Sequence, residues 1–144
     1  MKIYIAAPLF NEMERERNKN INSLLKNMGF DTYLPQEDGG VAYDMIKEGK
    51  MSKREVREYL FKTDYDAVKN CDIIVCFLDG RTPDEGTCIE LGMAYALGKV
   101  CLAYKTDSRA MDQNGDNNVM IDGCFNYKIF NNIDDLVACL RGIK

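Results

Sequence analysis

The 144-residue chain is 46% apolar, 10% aromatic and 29% charged, the proportions of one compact globular domain, which sets aside disordered, collagen-like and multidomain readings. Its 19 Lys and Arg residues face 23 Asp and Glu for a formal charge of -4, and no basic stripe is available to neutralise a run of phosphates, so nucleic acid is not an expected partner. With no apolar run approaching the roughly 18 residues of a spanning helix, and no signal-peptide layout at the amino terminus, the sequence predicts a cytoplasmic protein without a membrane partner.

Residues 2–7 (Lys-Ile-Tyr-Ile-Ala-Ala) form a β-branched and aromatic run broken by Pro8, which predicts a strand. The polar segment from Asn11 to Asn27 then places Ile21, Leu24, Leu25 and Met28 at helical spacing, and Gly29 ends it. Thr32-Tyr33-Leu34 resumes an extended run that Pro35 stops, so a βαβ unit is complete in about 35 residues. From Gln36 to Lys53 a glycine pair and mixed charge suit a loop with short helical pieces over the active edge of a sheet. Residues 54–70 carry Val56, Tyr59, Leu60, Thr63, Ala67 and Val68 at a 3-4 repeat, an amphipathic helix feeding directly into a strand from Asp72 to Leu78. That strand and the next, Val100 to Tyr104, are apolar on both faces, as in the centre of a parallel sheet covered by helices. A last strand around Tyr127 to Phe130 and a helix from Asp134 to Arg141 complete the pattern, with residues 105–117 left as a long polar loop. The predicted fold is α/β: a flavodoxin-like or Rossmann-like, doubly wound, five-stranded parallel sheet with helices on both faces, in one domain spanning residues 1–144.

Histidine and tryptophan are absent. Because His is the usual base for Ser and Cys nucleophiles and the commonest transition-metal ligand, any chemistry must run on carboxylates, Tyr, Lys or Cys. The six cysteines, Cys71, Cys76, Cys88, Cys101, Cys124 and Cys139, form no C-x-x-C pair, and several sit in apolar runs. They are read as buried reduced thiols rather than as a zinc site or a disulfide framework.

Ligands of open parallel sheets bind beyond the carboxyl ends of the strands, which directs attention to the loops after residues 7, 34, 78 and 104. The third loop runs from Asp79 to Thr87 and enters Cys88-Ile89-Glu90-Leu91-Gly92-Met93-Ala94-Tyr95-Ala96-Leu97, closed by Gly98. Glu90 is the single charged side chain between Glu85 and Lys99, in a helix otherwise apolar or small all round and therefore expected to be buried. A solitary buried carboxylate is costly unless it is paired or protonated. Near the positive end of the helix dipole it is expected to stay ionised, as a nucleophile must; the alternative is a structural acid satisfied by nearby donors. Asp84 has a competing role of its own, because Thr82-Pro83-Asp84-Glu85 is a helix-start signature with Thr82 as cap and Pro83 at the first position. Tyr4, on a strand near the middle of the sheet, either lines the cleft or packs in the core. Asp64 lies in Phe61-Lys62-Thr63-Asp64-Tyr65-Asp66, where spacing alone does not choose it over Asp66.

Taken in order, Ile3-Tyr4-Ile5-Ala6-Ala7-Pro8-Leu9-Phe10-Asn11, Asp64 eight residues before Asp72, Asp84-Glu85-Gly86-Thr87, Glu90-Leu91-Gly92, Ala96-Leu97-Gly98-Lys99 and Asn118-Val119-Met120 resemble the nucleoside 2-deoxyribosyltransferase family over nearly the whole chain. The resemblance implies that Glu90 is the nucleophile, that Tyr4 orients it, that Asp64 handles the base and its proton, and that Asp84 binds the sugar hydroxyls or the base edge. It further implies substrate contacts from Ala7, Phe10 and Gly86. Asn118 is implied to reach the 5'-hydroxyl in a neighbouring subunit's site, with Met120 nearby, and hence a homo-oligomer. The implied substrates are a deoxynucleoside and a free purine or pyrimidine base. The chemistry fits the residue inventory: a carboxylate can trap an oxocarbenium-like anomeric carbon as an ester while a second carboxyl protonates the leaving base, giving retention without metal or organic cofactor.

Two other readings compete. Hydrolases of deoxynucleosides or deoxynucleoside 5'-monophosphates use similar chemistry, but the latter need phosphate-binding groups. The loop Ala6-Ala7-Pro8-Leu9-Phe10-Asn11 is poor in hydroxyls and cations, which leaves Arg81 and Lys105 to keep that reading open. A receiver-like switch would use Asp79 as phosphoacceptor, but Ala6-Ala7-Pro8 supplies no acidic pair beside it.

Overall fold

The computed structural model describes residues 1–109 and 116–143. Five parallel strands, β1 (Lys2–Ala6), β2 (Asp31–Tyr33), β3 (Ile73–Phe77), β4 (Val100–Tyr104) and β5 (Ile129–Phe130), form one sheet in the order β2-β1-β3-β4-β5. The order reverses between β1 and β3, the switch point of a flavodoxin-like sheet, where a crevice opens beyond the strand ends. Helices α1 (Glu12–Asn27), α2 (Ala42–Glu48), α3 (Lys53–Asn70), α4 (Glu85–Ala96), α5 (Val119–Cys124) and α6 (Ile133–Ile143) complete the chain. No helix among the described residues is long and apolar enough to cross a membrane.

The period-2 alternation of strand side chains divides the core in two. Ile3, Ile5, Ile73, Val75, Phe77 and Leu102 join Leu25 of α1 with Leu136 and Leu140 of α6 on one face. Tyr4, Tyr33, Ile74, Cys76 and Ala103 join Ala67 and Val68 of α3 with Leu91 and Ala94 of α4 on the other. Each fully buried aliphatic or aromatic side chain contributes about 1.5–3 kcal/mol. β3 is buried at every residue, which is why its sequence carries no polar alternation.

Several expected boundaries shift for identifiable reasons. Asp84, not Thr82, caps α4: its carboxylate accepts the Thr87 amide at 2.9 Å and the helix begins at Glu85. A charged cap at the positive helix end outranks Thr. Tyr127 lies outside β5 because it sits at φ 61, a left-handed backbone that cannot continue a ladder. α5 follows the expected polar loop, in a stretch to which the sequence assigned no element, and is started by Asn118, whose side chain accepts the Met120 amide. Residues 110–115 of that loop lie outside the described residues. The segment after β2 has the short helical pieces expected of it, a π-helical turn at Pro35–Gly39 followed by α2.

α4 is not buried all round. Thr87, Leu91 and Ala94 face the sheet, while Ile89 and Tyr95 are 60% and 58% exposed, because a sheet covers only one side of a helix and no part of the described chain covers the other. Tyr95, Cys88, Met120 and Tyr127 line a shallow apolar depression of about 620 Å³ there. All six cysteines are unpaired; Cys71 and Cys76 are buried, whereas Cys88, Cys101, Cys124 and Cys139 are only partly so.

Candidate active site

The polar residues of α1 hold the loops above the sheet. Asn18 is buried and donates its amide to the Pro8 carbonyl at 2.9 Å and to Gln36 Oε1 at 3.1 Å, joining the loop after β1 to the turn after β2. One turn on, Asn22 donates to Glu37 and accepts from Thr32. These bonds explain why a helix so rich in polar residues buries Asn at two helical positions: they satisfy loop groups that would otherwise be orphaned.

Beneath these loops, on the α3/α4 side, three of the candidate residues converge. Tyr4 Oη donates to Glu90 Oε1 at 2.6 Å. Asp64 Oδ1 accepts a hydrogen bond from Tyr33 Oη at 2.8 Å, and the rings of Tyr4 and Tyr33 stack at 5.4 Å with 15° between their planes. Asp66, the residue that sequence spacing could not separate from Asp64, instead pairs with Lys62 on the exposed side of α3. Tyr33 was not singled out from sequence. Its signal was the strand register, Tyr4 opposite Tyr33, which puts both rings on one face.

Burial pushes the Glu90 carboxyl up to about 8; the nearby Asp64 and Asp84 charges add to the effect, and the Tyr4 hydrogen bond opposes it. The resting side chain therefore carries a proton at neutral pH, contrary to the expectation of a permanently ionised group. Glu90 is the sixth residue of α4, beyond the first turn where the helix dipole is effective, and it is partly buried near two other acids. Burial also raises Asp64, against the lowering effect of the Tyr33 hydrogen bond. Desolvation followed by the Glu90 and Asp64 charges raises the Tyr4 hydroxyl far above its ordinary value. Desolvation and the bond to Asp64 do the same to Tyr33. Both phenols are thus permanent donors, and the Asp64 charge helps to raise Glu90, so the protonation of one carboxyl bears on the other.

The remaining candidates are placed as follows. Asp84 caps α4, and a Cβ on Gly86 would come within 3.0 Å of its Oδ2, so Gly86 leaves that carboxylate room. Ala7 packs into the core shared with α1 and α6. Phe10 is exposed and lines a cavity of about 820 Å³ with Arg15, Lys19, Gln36 and Tyr43; Glu90 is not among the residues lining it. Asn118 and Met120 are exposed at the start of α5. Of the two cations that kept a phosphate reading open, Lys105 is buried and donates to Asn117 Oδ1 at 2.9 Å, while Arg81 is exposed. Asp79 is engaged by Arg17 at 2.9 Å and by the Thr106 hydroxyl at 2.9 Å; it ties the β3 and β4 loops together and is not held free as a phosphoacceptor.

The profile of a family described as nucleoside 2-deoxyribosyltransferase matches residues 3–132. No curated protein matches the sequence significantly. Among solved structures, a 2-deoxyribosyltransferase from Bacillus psychrosaccharolyticus is 26% identical with a TM-score of 0.74, over 94% of this chain and 90% of its own. A 2-desoxiribosyltransferase from Leishmania mexicana is 25% identical with a TM-score of 0.65, over 96% and 95%. A CMP N-glycosidase from Clostridium botulinum, 20% identical with a TM-score of 0.61 over 98% and 99%, shares the fold. With the sheet order, the Tyr4–Glu90 bond and the match over residues 3–132 in agreement, the chain belongs to the nucleoside 2-deoxyribosyltransferase family.

Proposed function

We propose that the protein transfers a 2-deoxyribosyl group between purine or pyrimidine bases, with Glu90 as nucleophile. The observation that carries this reading is the Glu90 carboxyl itself, raised to about 8 and held by a neutral Tyr4 donor. A buried acid held by a phenol rather than by a cation is free to form and release an ester. In the productive protonation state the proton of the pair sits on Asp64 and Glu90 is ionised. A Glu90 oxygen bonds to C1' as the C1'–N bond breaks, and the Asp64 proton passes to the departing base. A second base then attacks C1', gives its proton to Asp64 and releases Glu90 as carboxylate, so the sugar keeps its configuration. Asp84 binds the sugar hydroxyls or the base edge, with Gly86 beside it; Ala7 and Phe10 belong to the loop that borders the substrate.

In this reading a second copy of the chain covers the exposed stripe of α4 and brings its Asn118 to the sugar 5'-hydroxyl, with Met120 nearby; the apolar character of that stripe supports it. The protein would then serve nucleoside salvage in the cytoplasm.

Incubation of the purified protein with deoxyinosine, with and without adenine, tests the proposal. Deoxyadenosine formed when adenine is present is the expected result, and Glu90→Ala abolishes it. Free deoxyribose released equally in both tubes would identify a hydrolase. A second reading, cleavage of deoxynucleoside 5'-monophosphates, is favoured by one observation: Arg15 and Lys19 line the same cavity as Phe10. A strong preference for 5'-phosphorylated substrate would select it.

A further inference from the structure

Tyr33 has no part in the mechanism so far, yet its hydroxyl contacts one of the two carboxyls directly. β1 and β2 pair in parallel with Tyr4 opposite Tyr33, and the stacked rings hold the two phenols side by side. From this platform each hydroxyl reaches a different acid, Tyr4 to Glu90 on α4 and Tyr33 to Asp64 on α3. We propose that Tyr33 is a positioning residue for base exchange: by donating a hydrogen bond to Oδ1 of Asp64, it fixes that carboxyl so that Oδ2 is the oxygen that gives a proton to the departing base and takes one from the incoming base. The assignment deepens the transfer reading and rests on it.

Chemistry and space both support the assignment. Tyr33 keeps its own proton throughout, because burial and the neighbouring Asp64 hold the phenol far above its ordinary range. A proton added to Asp64 while Oδ1 is accepting from Tyr33 sits on Oδ2. In the first half-reaction that proton moves to the base nitrogen as the C1'–N bond breaks; in the second, the incoming N–H returns it. The groups facing this pair are Asp38 in the π-turn, Tyr59 on α3 and Tyr4 on β1, with Glu90 and Asp84 beyond. None is a cation, so the phenol is the donor that sets the orientation.

Gly39 closes the pair from above. A Cβ there would lie 2.8 Å from Tyr33 Oη and 3.1 Å from Asp64 Oδ1, closer than real side chains pack. The φ of Gly39 is not among the positive ones, so an alanine is opposed by the Tyr33–Asp64 pair rather than by the backbone. The π-turn thus brings bare main chain against the hydrogen bond, in a helical form that recurs at functional sites.

The test is base exchange by Tyr33→Phe and Gly39→Ala across a pH series. Removing the donor lets the Asp64 carboxyl rise further, so the alkaline limb of kcat/KM, set by loss of the Asp64 proton, moves to higher pH. The maximal kcat falls about tenfold or more while KM changes little, as expected for a misdirected acid. Gly39→Ala, whose Cβ is set against the Tyr33–Asp64 pair, reproduces both effects. A folded Tyr33→Phe with the wild-type kcat and pH profile overturns the assignment. So does a wild-type profile for Gly39→Ala if Tyr33→Phe fails to fold. Asp64→Asn separates the two levels: impaired transfer there alongside a wild-type Tyr33→Phe removes only the Tyr33 role, whereas full transfer by Asp64→Asn removes the acid and the transfer mechanism with it.

Discussion

The hydroxyl of Tyr4 lies 2.6 Å from Oε1 of Glu90, so the first strand of the sheet holds a side chain 86 residues further along the chain. This bond opposes the upward push of burial on the Glu90 carboxyl. Tyr4→Phe removes the opposition, and Glu90 then titrates above about 8. If ionised Glu90 is the reactive form, the acid limb of kcat/KM moves to higher pH. Turnover at pH 7 falls by at least about tenfold and partly recovers at pH 9, consistent with one lost charge-assisted hydrogen bond. Initial rates at fixed ionic strength measure the shift.

Glu90 also carries a stability signature. Its carboxyl titrates at about 8 in the folded chain against about 4.5 when exposed. The folded state therefore binds the proton more tightly, and stability associated with this group is fully present below about pH 4.5 and lost as pH rises through 8. Glu90→Gln has no proton to lose. Its unfolding free energy should match wild type near pH 4 and exceed it near pH 9, by a difference on the order of 2–4 kcal/mol, with a higher melting temperature at the alkaline end. Equal pH dependence of melting in the two proteins would show that Glu90 is not desolvated.

Asp84 performs one visible task, accepting the Thr87 amide at the start of α4, and the proposal gives it another. Asp84→Asn retains a good cap and is expected to keep stability within about 0.5 kcal/mol while lowering turnover at least about tenfold. Asp84→Ala loses both, at about 1 kcal/mol of stability. Wild-type turnover in the Asn variant, measured beside urea unfolding, would leave the residue as a cap alone.

Asn18 donates two bonds from a fully buried position, to Pro8 and Gln36. Asn18→Ala leaves the partly buried Pro8 carbonyl and Gln36 side-chain oxygen without their donor, and should destabilise by about 1–3 kcal/mol. Because it joins the loops after β1 and β2, it should also raise KM more than it lowers kcat. Denaturant unfolding and steady-state kinetics on the same preparation separate the two effects.

The sheet and its main helices were legible because β3 and β4 are apolar without alternation and α3 repeats its apolar residues at helical spacing. Glu90 was legible for a related reason, as the single charge in an apolar helix. Its protonation was not, since that depends first on how deeply the folded chain buries the carboxyl and then on how closely α3 and the α4 cap bring Asp64 and Asp84 to it. Tyr33 and Gly39 escaped notice because their significance lies in strand register and in a close approach of main chain, neither of which leaves a mark on local composition. α5 was missed because its six residues are too few for a periodic signal.

The partition of the core by strand alternation has a practical outcome for engineering. Tyr4, Tyr33, Asp64 and Glu90 all hang from one side of the sheet, whereas the layer beneath α1 and α6 is mostly aliphatic. Substitutions that raise heat tolerance can be sought in that second layer, around Leu25, Leu136 and Leu140, with the half of the molecule that holds the candidate site left untouched.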